Sequence, residues 1–461
     1  MKYDIIILGS GPGGYVAAIR AAQLGKKVAV VEKETLGGIC LNWGCIPTKA
    51  LLRTAQVFND IKHASDFGII ASEADIDFEA MIRRSREVAE KMSKGVQYLF
   101  KKNNIDLLQG FGKLVGNKKV EVSFDGNTTT YEANNIIIAT GARARELPIL
   151  KIDGKKIIGY RQALSLQKQP ESMLVVGSGA IGSEFAYLYN SIGTKVTLVE
   201  IFPNIVPLED VEVSKQLRRS FKKSGIKVLT NSTVEEVDTS GEKNKVKLQT
   251  RKGEEIIECD IVLSAVGIKS NIENIGIENL GIETEKDKIV VDKYYQTNVE
   301  GVYAIGDIVK GPALAHVASH EGIICVENIA GLNPEPIDYN NVPACTYTQP
   351  EIASVGYSEQ SAIDAGFEIK IGKFPFTASG KATAAGHNEG FVKLIFNAKD
   401  DKIIGANMIG YNVTEMIAEI VIAKKSELTG HDIIKSIHPH PTMSEATMEA
   451  AAAAYDEIIH L

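Results

Sequence analysis

Cys40 and Cys45 are the residues whose type and spacing most directly suggest chemistry. They belong to a set of five cysteines, with Cys259, Cys325 and Cys345, in a chain of 461 residues. An odd, sparse set is not a structural disulfide framework. In a reducing compartment a disulfide is more often catalytic than structural. The segment reads Gly37-Gly38-Ile39-Cys40-Leu41-Asn42-Trp43-Gly44-Cys45-Ile46-Pro47-Thr48-Lys49. On an ideal helix the two cysteines stand about 7.5 Å apart along the axis and about 140° apart around it. A disulfide needs Cα atoms within roughly 6.8 Å. The pair is therefore either two unlinked thiols flanking the single Trp43, or a bonded pair in a distorted segment, with Gly44 a suitable place for the distortion. A bond held in so small a ring is suited to reversible reduction. Pro47 fits the first turn of a following helix running from Thr48 to about Val57. Cys45 then sits near a helix N-terminus, which favours a thiolate. The isolated Cys259, Cys325 and Cys345 read as ordinary buried thiols.

The elements around this pair recur. Residues 3–8 read as a buried strand, followed by the turn Gly9-Ser10-Gly11-Pro12-Gly13-Gly14. A helix then runs to about Leu24, stopped by Gly25, and residues 28–31 form a second strand that ends in Glu32. About 170 residues later the arrangement repeats, with a strand over 173–176 and the turn Gly177-Ser178-Gly179-Ala180-Ile181-Gly182. Its helix runs to Ile192, stopped by Gly193, and a strand over 196–199 ends in Glu200. A lone GxGxxG is a weak signal, but both copies have a strand before, a helix after and an acid at the end of the next strand. Gly9 and Gly177 permit the tight turn, Gly11 and Gly179 let backbone approach a pyrophosphate, and Gly14 and Gly182 let helix and strand pack closely. The phosphates belong at the positive helix N-terminus, and Glu32 and Glu200 are placed for a ribose 2′-hydroxyl. Two such units predict two dinucleotide sites. A carboxylate at Glu200, with no Arg after it until Arg218, repels a 2′-phosphate, so the second site is expected to take NAD over NADP. Tighter apparent binding of NADPH than of NADH in steady-state kinetics would count against this.

Composition excludes several classes. Lys plus Arg number 51 and Asp plus Glu 58, a net charge of −7, with 44% apolar and 24% charged residues. These are values of a packed globular chain rather than a disordered, collagen-like or disulfide-stapled one. The mild acidity offers no electrostatic footprint for nucleic acid or an anionic membrane. No stretch reaches the ~18 apolar residues of a membrane helix. The N-terminus lacks the basic lead and cleavage site of a signal peptide, so the chain reads as cytoplasmic. Its length predicts about three domains. Strands over 136–141 and 261–267 exit through glycines, and one over 302–305 exits into Gly306-Asp307. From Pro343 onward strands such as 391–396 precede two helical stretches, an α+β pattern.

Together these segments resemble the FAD-dependent pyridine nucleotide–disulfide oxidoreductases, over essentially the whole chain. The resemblance is carried by the turn over 9–14, the Gly38-to-Pro47 segment, Ala139-Thr140-Gly141, the turn over 177–182 with Glu184, Ala304-Ile305-Gly306-Asp307, Leu314-Ala315-His316, and His438-Pro439-His440-Pro441-Thr442-Met443-Ser444-Glu445. It implies an α/β fold with two Rossmann-like nucleotide-binding domains, for FAD and NAD, plus a C-terminal α+β dimerisation domain. The implied segments are 1–146 for FAD and the redox disulfide, 147–270 for NAD, 271–342 completing the FAD site, and 343–461 for the interface. By the family pattern Cys40 is the thiol that exchanges with a dithiol substrate, and Cys45 faces the flavin as a charge-transfer thiolate. Lys49 and Glu184 pair near the reactive edge of the flavin. Asp307 binds the ribityl–pyrophosphate part, and Gly112, Thr140, Gly141, Ala313, Leu314, Ala315 and His316 line the remainder. Val234 and Gly267 complete the NAD site.

His440 and Glu445 match the family's base and its orienting carboxylate. A dihydrolipoyl thiol is only slightly ionised at neutral pH, so a base must take its proton before it attacks a disulfide. Histidine suits that task, and a carboxylate holds its tautomer and stabilises its cation. The resemblance further implies a homodimer in which His440 serves the opposite subunit's disulfide. The implied activity is oxidation of protein-bound dihydrolipoyl groups with reduction of NAD⁺, for the lipoyl domains of a 2-oxo acid dehydrogenase complex or a glycine cleavage H protein. The tethered lipoyl group is expected to come from that partner. His440–Pro441 is a candidate cis bond. Two other readings compete: a glutathione-type flavin disulfide reductase, against which Glu200 argues, and a non-catalytic FAD-binding scaffold, which has no use for the Cys40/Cys45 and His440/Glu445 sets.

Overall fold

The computed structural model describes residues 2–72, 74–116 and 118–461. The chain divides into two compact units, the first made of residues 1–51, 77–145 and 268–339, the second of 52–76, 146–267 and 340–461.

In the first unit β1 (Lys2–Leu8), α1 (Pro12–Gln23) and β2 (Val28–Glu32) form the expected strand–turn–helix–strand. Next come α2 (Gly38–Trp43), α3 (Cys45–Lys62, which continues into the second unit) and α4 (Phe78–Lys102). The strands β3 (Asp106–Gln109), β4 (Phe111–Gly116), β5 (Lys119–Phe124) and β6 (Asn127–Ile138) follow. The strand order is β3-β2-β1-β6, all parallel, with strand Val302–Ala304 beside the end of β6. β4 and β5 extend β6 as an antiparallel meander. Because the parallel part of this sheet is covered on both faces, β1 and β2 carry unbroken apolar runs over 5–8 and 28–31 rather than alternating. Ile5, Ile7, Val28, Val30 and Ile137 pack on Ala17, Ala18 and Ala21 of α1. Ile6, Leu8, Ala29 and Val31 face the opposite core. β6 begins nine residues before the expected 136, because its polar first half, Asn127 to Glu132, pairs with β5 at the surface.

The second unit holds a five-stranded parallel sheet in the order Lys227–Thr230, Lys195–Glu200, Ser172–Val176, Ile261–Ser264, Ile157–Ile158. Helix Ala180–Ser191 follows the second glycine turn. A separate five-stranded antiparallel sheet runs Ala344–Thr346, Glu351–Gly356, Ile403–Gly410, Phe391–Asn397, Ile369–Pro375. Three helices follow it, not two: Val413–Lys425, Gly430–Lys435 and Glu445–Ala453. The extra one is short and is held by a capping box in which Thr429 and Asp432 satisfy each other's backbone N–H groups. The last lies directly on the sheet: a Cβ at Gly372 would fall 1.7 Å from the Ala450 carbonyl.

Candidate active site

The two cysteines stand at a helix junction. Cys40 lies in α2, Gly44 breaks the helix at φ −143°, ψ −116°, and Cys45 is the first residue of α3. The distortion falls at the expected glycine. The helix begins three residues earlier than Thr48 and ends at Lys62 rather than Val57. Pro47 is tolerated as its third residue because the first four N–H groups of a helix have no intrahelical partner. Both cysteines are thiols here, half-buried, and share a hydrogen bond. That bond and then burial push the Cys40 thiol far up, while the Lys49 ammonium, one turn along α3, opposes them.

Two contacts fix this segment. Gly38, at φ +59°, lies against the first nucleotide turn: a Cβ there would be 2.6 Å from the Gly11 Cα. Gly37 N–H donates to the Ser10 carbonyl at 3.1 Å. From the other side α4 clamps it. The Arg86 guanidinium stacks 4.2 Å over the Trp43 ring and donates to the Asn42 carbonyl at 2.5 Å. Ser85 Oγ donates to the Pro47 carbonyl at 3.0 Å. Asn42 Nδ2 donates to the Leu36 and Gly38 carbonyls, both at 2.9 Å. The cysteine pair is thus held beside the first glycine turn by backbone contacts that no side chain larger than hydrogen at Gly38 permits.

The two glycine turns are near-copies. Gly9 and Gly177 have φ +103° and +95°, and a Cβ at either would meet a carbonyl oxygen at 2.4 Å. At Gly14 and Gly182 a Cβ would lie 2.0 and 1.9 Å from the carbonyl oxygen of the turn's own first glycine. At Gly179 nothing lies within 4 Å, and at Gly11 only the Gly38 Cα at 4.0 Å. The first and third glycines are therefore required by the protein itself, and the second leaves open a cradle that suits a ligand's pyrophosphate. Gly182→Ala is expected to cost folding stability, about 1–3 kcal/mol. Gly179→Ala is expected to leave the melting temperature unchanged while weakening NAD binding. A calorimetric melt and an NADH titration of both variants check this; a destabilised Gly179→Ala would contradict it.

Glu32 and Glu200 are already engaged in a way their spacing did not reveal. Glu32 Oε2 accepts from Ser10 N–H at 3.0 Å and Ser10 Oγ at 2.6 Å, and Oε1 accepts from Glu34 N–H at 2.8 Å. Glu200 Oε2 accepts from Ser178 N–H at 2.8 Å and Ser178 Oγ at 2.6 Å, and Oε1 from Phe202 N–H at 3.0 Å. Each carboxylate thus locks its own turn and keeps lone-pair capacity for a ribose hydroxyl. A serine at the same place in both turns was the available signal. Glu32 also edges a cavity of about 260 Å³ with Thr35, Leu36, Leu107 and Gln109.

The remaining candidates are placed as follows. Gly112 presses on β1 and β2, where a Cβ would be 2.7 Å from Leu8. Thr140 Oγ1 donates to the Asn271 carbonyl at 2.6 Å, and Asn271 N–H to the Gly141 carbonyl at 2.9 Å, so this exit is tied to the strand after Gly267. Gly267 is a left-handed glycine at φ +110°, and Val234 is buried. Asp307 is half-buried, its backbone carbonyl accepts from Ser270 Oγ, and burial pushes its carboxyl up while Lys288 opposes this. Such a carboxylate suits the hydroxyls of a bound chain. Leu314 caps helix Ala315–Ile329, with Ala315 and His316 in its first turn and Ala313 exposed before it. Glu184 is buried and accepts from the Tyr347 N–H at 3.0 Å.

In the second unit His440 Nδ1 meets Glu445 Oε1 at 2.8 Å, and Glu445 Oε2 accepts from the Thr442 N–H at 2.8 Å. The His440 side chain is 80% exposed. His440–Pro441 is cis, and so is Gln349–Pro350, which the sequence reading did not single out. Burial alone would raise the Glu445 carboxyl, but Thr442 N–H and His440 outweigh it and hold it below the usual range. It therefore stays ionised and orients the ring with its other nitrogen outward. His438, two residues earlier, is buried against Glu419 at 2.7 Å, which raises its pKa.

A cysteine pair in the segment that Gly37 and Gly38 seat on a nucleotide turn, a second such turn, and an exposed carboxylate-held histidine define a nucleotide-dependent dithiol oxidoreductase. The model of the pyridine nucleotide–disulphide oxidoreductases matches residues 3–322, and that of their dimerisation domain matches 342–451. The chain belongs to this family and is an oxidoreductase that works with FAD and NAD. Among relatives, the dihydrolipoyl dehydrogenase of Zymomonas mobilis is 46% identical over 99% of both chains. That of Bacillus subtilis is 44% identical over all of this chain and 99% of the relative. The crystal structure of LpdA from Mycobacterium tuberculosis superimposes with a TM-score of 0.91 at 28% identity, covering 98% of this chain and 99% of that one. No described helix is long and apolar enough to cross a membrane.

Proposed function

We propose that the chain is a dihydrolipoyl dehydrogenase, oxidising protein-bound dihydrolipoyl groups and reducing NAD⁺. The observation that carries this reading is the Cys40/Cys45 pair, seated by Gly38 on the Gly11 turn. The turn over 9–14, Glu32 and Asp307 would hold FAD, whose chemistry when bound would be a two-electron link between the sulfur pair and the nicotinamide. The chain's own residues do the rest. His440, with Nδ1 fixed by Glu445, takes the proton of a dihydrolipoyl thiol at its free nitrogen. The thiolate attacks the Cys40 sulfur of the oxidised pair, the Cys40–Cys45 bond breaks, and Cys45 leaves as a thiolate at the N-terminus of α3, where the helix dipole favours it. The second substrate thiol then displaces Cys40, closing the lipoyl disulfide. Lys49 offsets the charge of the reduced pair.

Several further assignments belong to the same reading. Segments 1–146, 147–270, 271–342 and 343–461 serve FAD, NAD, the completion of the FAD site, and the interface. His440 serves the disulfide of a second copy in a homodimer, which the dimerisation-domain match supports. The dihydrolipoyl groups arrive on lipoyl domains of a 2-oxo acid dehydrogenase complex or glycine cleavage H protein, in the cytoplasm. The test is direct. The purified protein should be yellow, oxidise dihydrolipoamide with NAD⁺, and prefer NAD⁺ to NADP⁺. A protein that binds FAD but turns over neither dihydrolipoamide nor NADH would overturn the proposal.

A further inference from the structure

We propose that Glu321 is a positioning residue of the flavin site: its buried carboxylate holds the Gly306–Asp307 turn in place relative to the helix of the first nucleotide turn. The inference rests on the reading of Asp307 as an FAD ligand.

Glu321 lies on helix Ala315–Ile329 and is 1% exposed. Its Oε2 accepts from the Gly306 N–H at 2.6 Å, and its Oε1 from the Tyr339 hydroxyl at 2.7 Å. Tyr339 and Tyr295 hydroxyls lie 3.2 Å apart, so the carboxylate heads a short buried polar chain. Gly306 sits at φ +76°, the left-handed region. The Asp307 carbonyl accepts from Ser270 Oγ at 2.8 Å and Lys288 Nζ at 2.5 Å. The turn is thus held at its N–H by Glu321 and at its carbonyl by Ser270 and Lys288.

The same helix is pressed against α1. A Cβ at Gly322 would lie 2.7 Å from the Gly13 carbonyl, and one at Gly13 would lie 3.1 Å from the Ala318 carbonyl. One rigid helix therefore sets both the start of α1, where the pyrophosphate belongs, and the turn that presents Asp307. Burying a carboxylate is costly unless it is well partnered, and here burial pushes its pKa up to about 7, against the donors Tyr339 and Gly306. A group kept in a place that opposes its charge, with both oxygens aimed at donors, is there for its acceptors. Apolar packing alone would be better served by leucine.

Because Tyr339 is a hydroxyl rotor, Glu321→Gln can keep its carbonyl on the Gly306 N–H and donate its amide to Tyr339. Glu321→Leu keeps the bulk and loses the acceptor. The experiment compares wild-type holoenzyme with both variants, following FAD release by the rise of free flavin fluorescence, with the visible flavin band recorded beforehand. Losing one buried hydrogen bond and leaving its donor unsatisfied predicts roughly tenfold faster release for Glu321→Leu. Glu321→Gln should stay within about twofold of wild type, since it retains that bond. The flavin band of Glu321→Leu should shift, and that of Glu321→Gln should not. Wild-type release from Glu321→Leu, or equal damage in both variants, would overturn the inference. If Glu321→Leu does not fold, Tyr339→Phe decides: faster release supports the inference and unchanged release overturns it. A wild-type protein that carries no flavin defeats the functional reading instead, so the two failures are distinct.

Discussion

Cys45→Ser is expected to lower dihydrolipoamide oxidation by at least about 10³-fold, as loss of a residue that forms and breaks bonds in each cycle does. Serine has nearly the size of cysteine and can keep the hydrogen bond to Cys40 at the first turn of α3. The turn over 9–14 and the Gly37–Gly38 contact are untouched, so the variant should fold and stay yellow. NADH oxidation by ferricyanide, which draws electrons without a sulfur pair, should persist. That combination separates loss of the redox pair from loss of the cofactor. Residual dihydrolipoamide activity above about one per cent would exceed what single-thiol chemistry can supply, and the wiring would then be wrong.

His440→Gln is expected to reduce dihydrolipoamide oxidation by about 10²–10⁴-fold, the range for loss of a positioned general base. The His440 side chain is 80% exposed, and its hydrogen-bond partner among the described residues is Glu445. Its removal should therefore leave the melting temperature nearly unchanged, and ferricyanide reduction by NADH intact. The wild-type and variant pH profiles carry a second sign. Glu445 is held below the usual carboxylate range, so its ionised form, and with it the orientation of His440, is lost only as pH falls through that lowered value. That acid-side loss should vanish from Glu445→Gln, which has no carboxylate to protonate. Glu445→Gln should show an intermediate loss, since the amide still accepts one bond but no longer stabilises the imidazolium. A His440→Gln enzyme with wild-type dihydrolipoamide turnover would remove His440 from the chemistry.

How much of this was legible depended on range. The strand–turn–helix–strand units were, because left-handed glycines, short apolar strands and a closing acid all lie within about 30 residues. Gly44 was legible as the place where a bonded pair would distort the segment, because an ideal helix holds the two cysteines too far apart. What escaped were contacts set by distant segments. Arg86 reaches Trp43 and Asn42 across 43 and 44 residues, and nothing in a run of charged helix residues marks it as a clamp. The Asn271 backbone meets Thr140 and Gly141 across more than a hundred residues. The first half of β6, Asn127 to Glu132, is polar at the surface and carries no apolar run to mark it as strand. Ser10 and Ser178 were in view as a repeat, but only the register of β1 with β2, and of its later counterpart, shows that the acid reaches back to the serine. Glu321 gave no signal, since a lone glutamate on a helix is ordinarily solvated.

The most direct measurement of the central claim is alkylation of Cys40 and Cys45 in the denatured protein, before and after anaerobic NADH, read by mass spectrometry. A bonded pair resists the reagent and a reduced pair takes it at both sulfurs. If electrons pass between nicotinamide and these sulfurs through the bound flavin, the air-oxidised enzyme is unlabelled at positions 40 and 45 and becomes doubly labelled after NADH. The buried Cys259 and Cys325 label equally in both samples. Labelling of Cys40 and Cys45 that is the same with and without NADH would contradict the account.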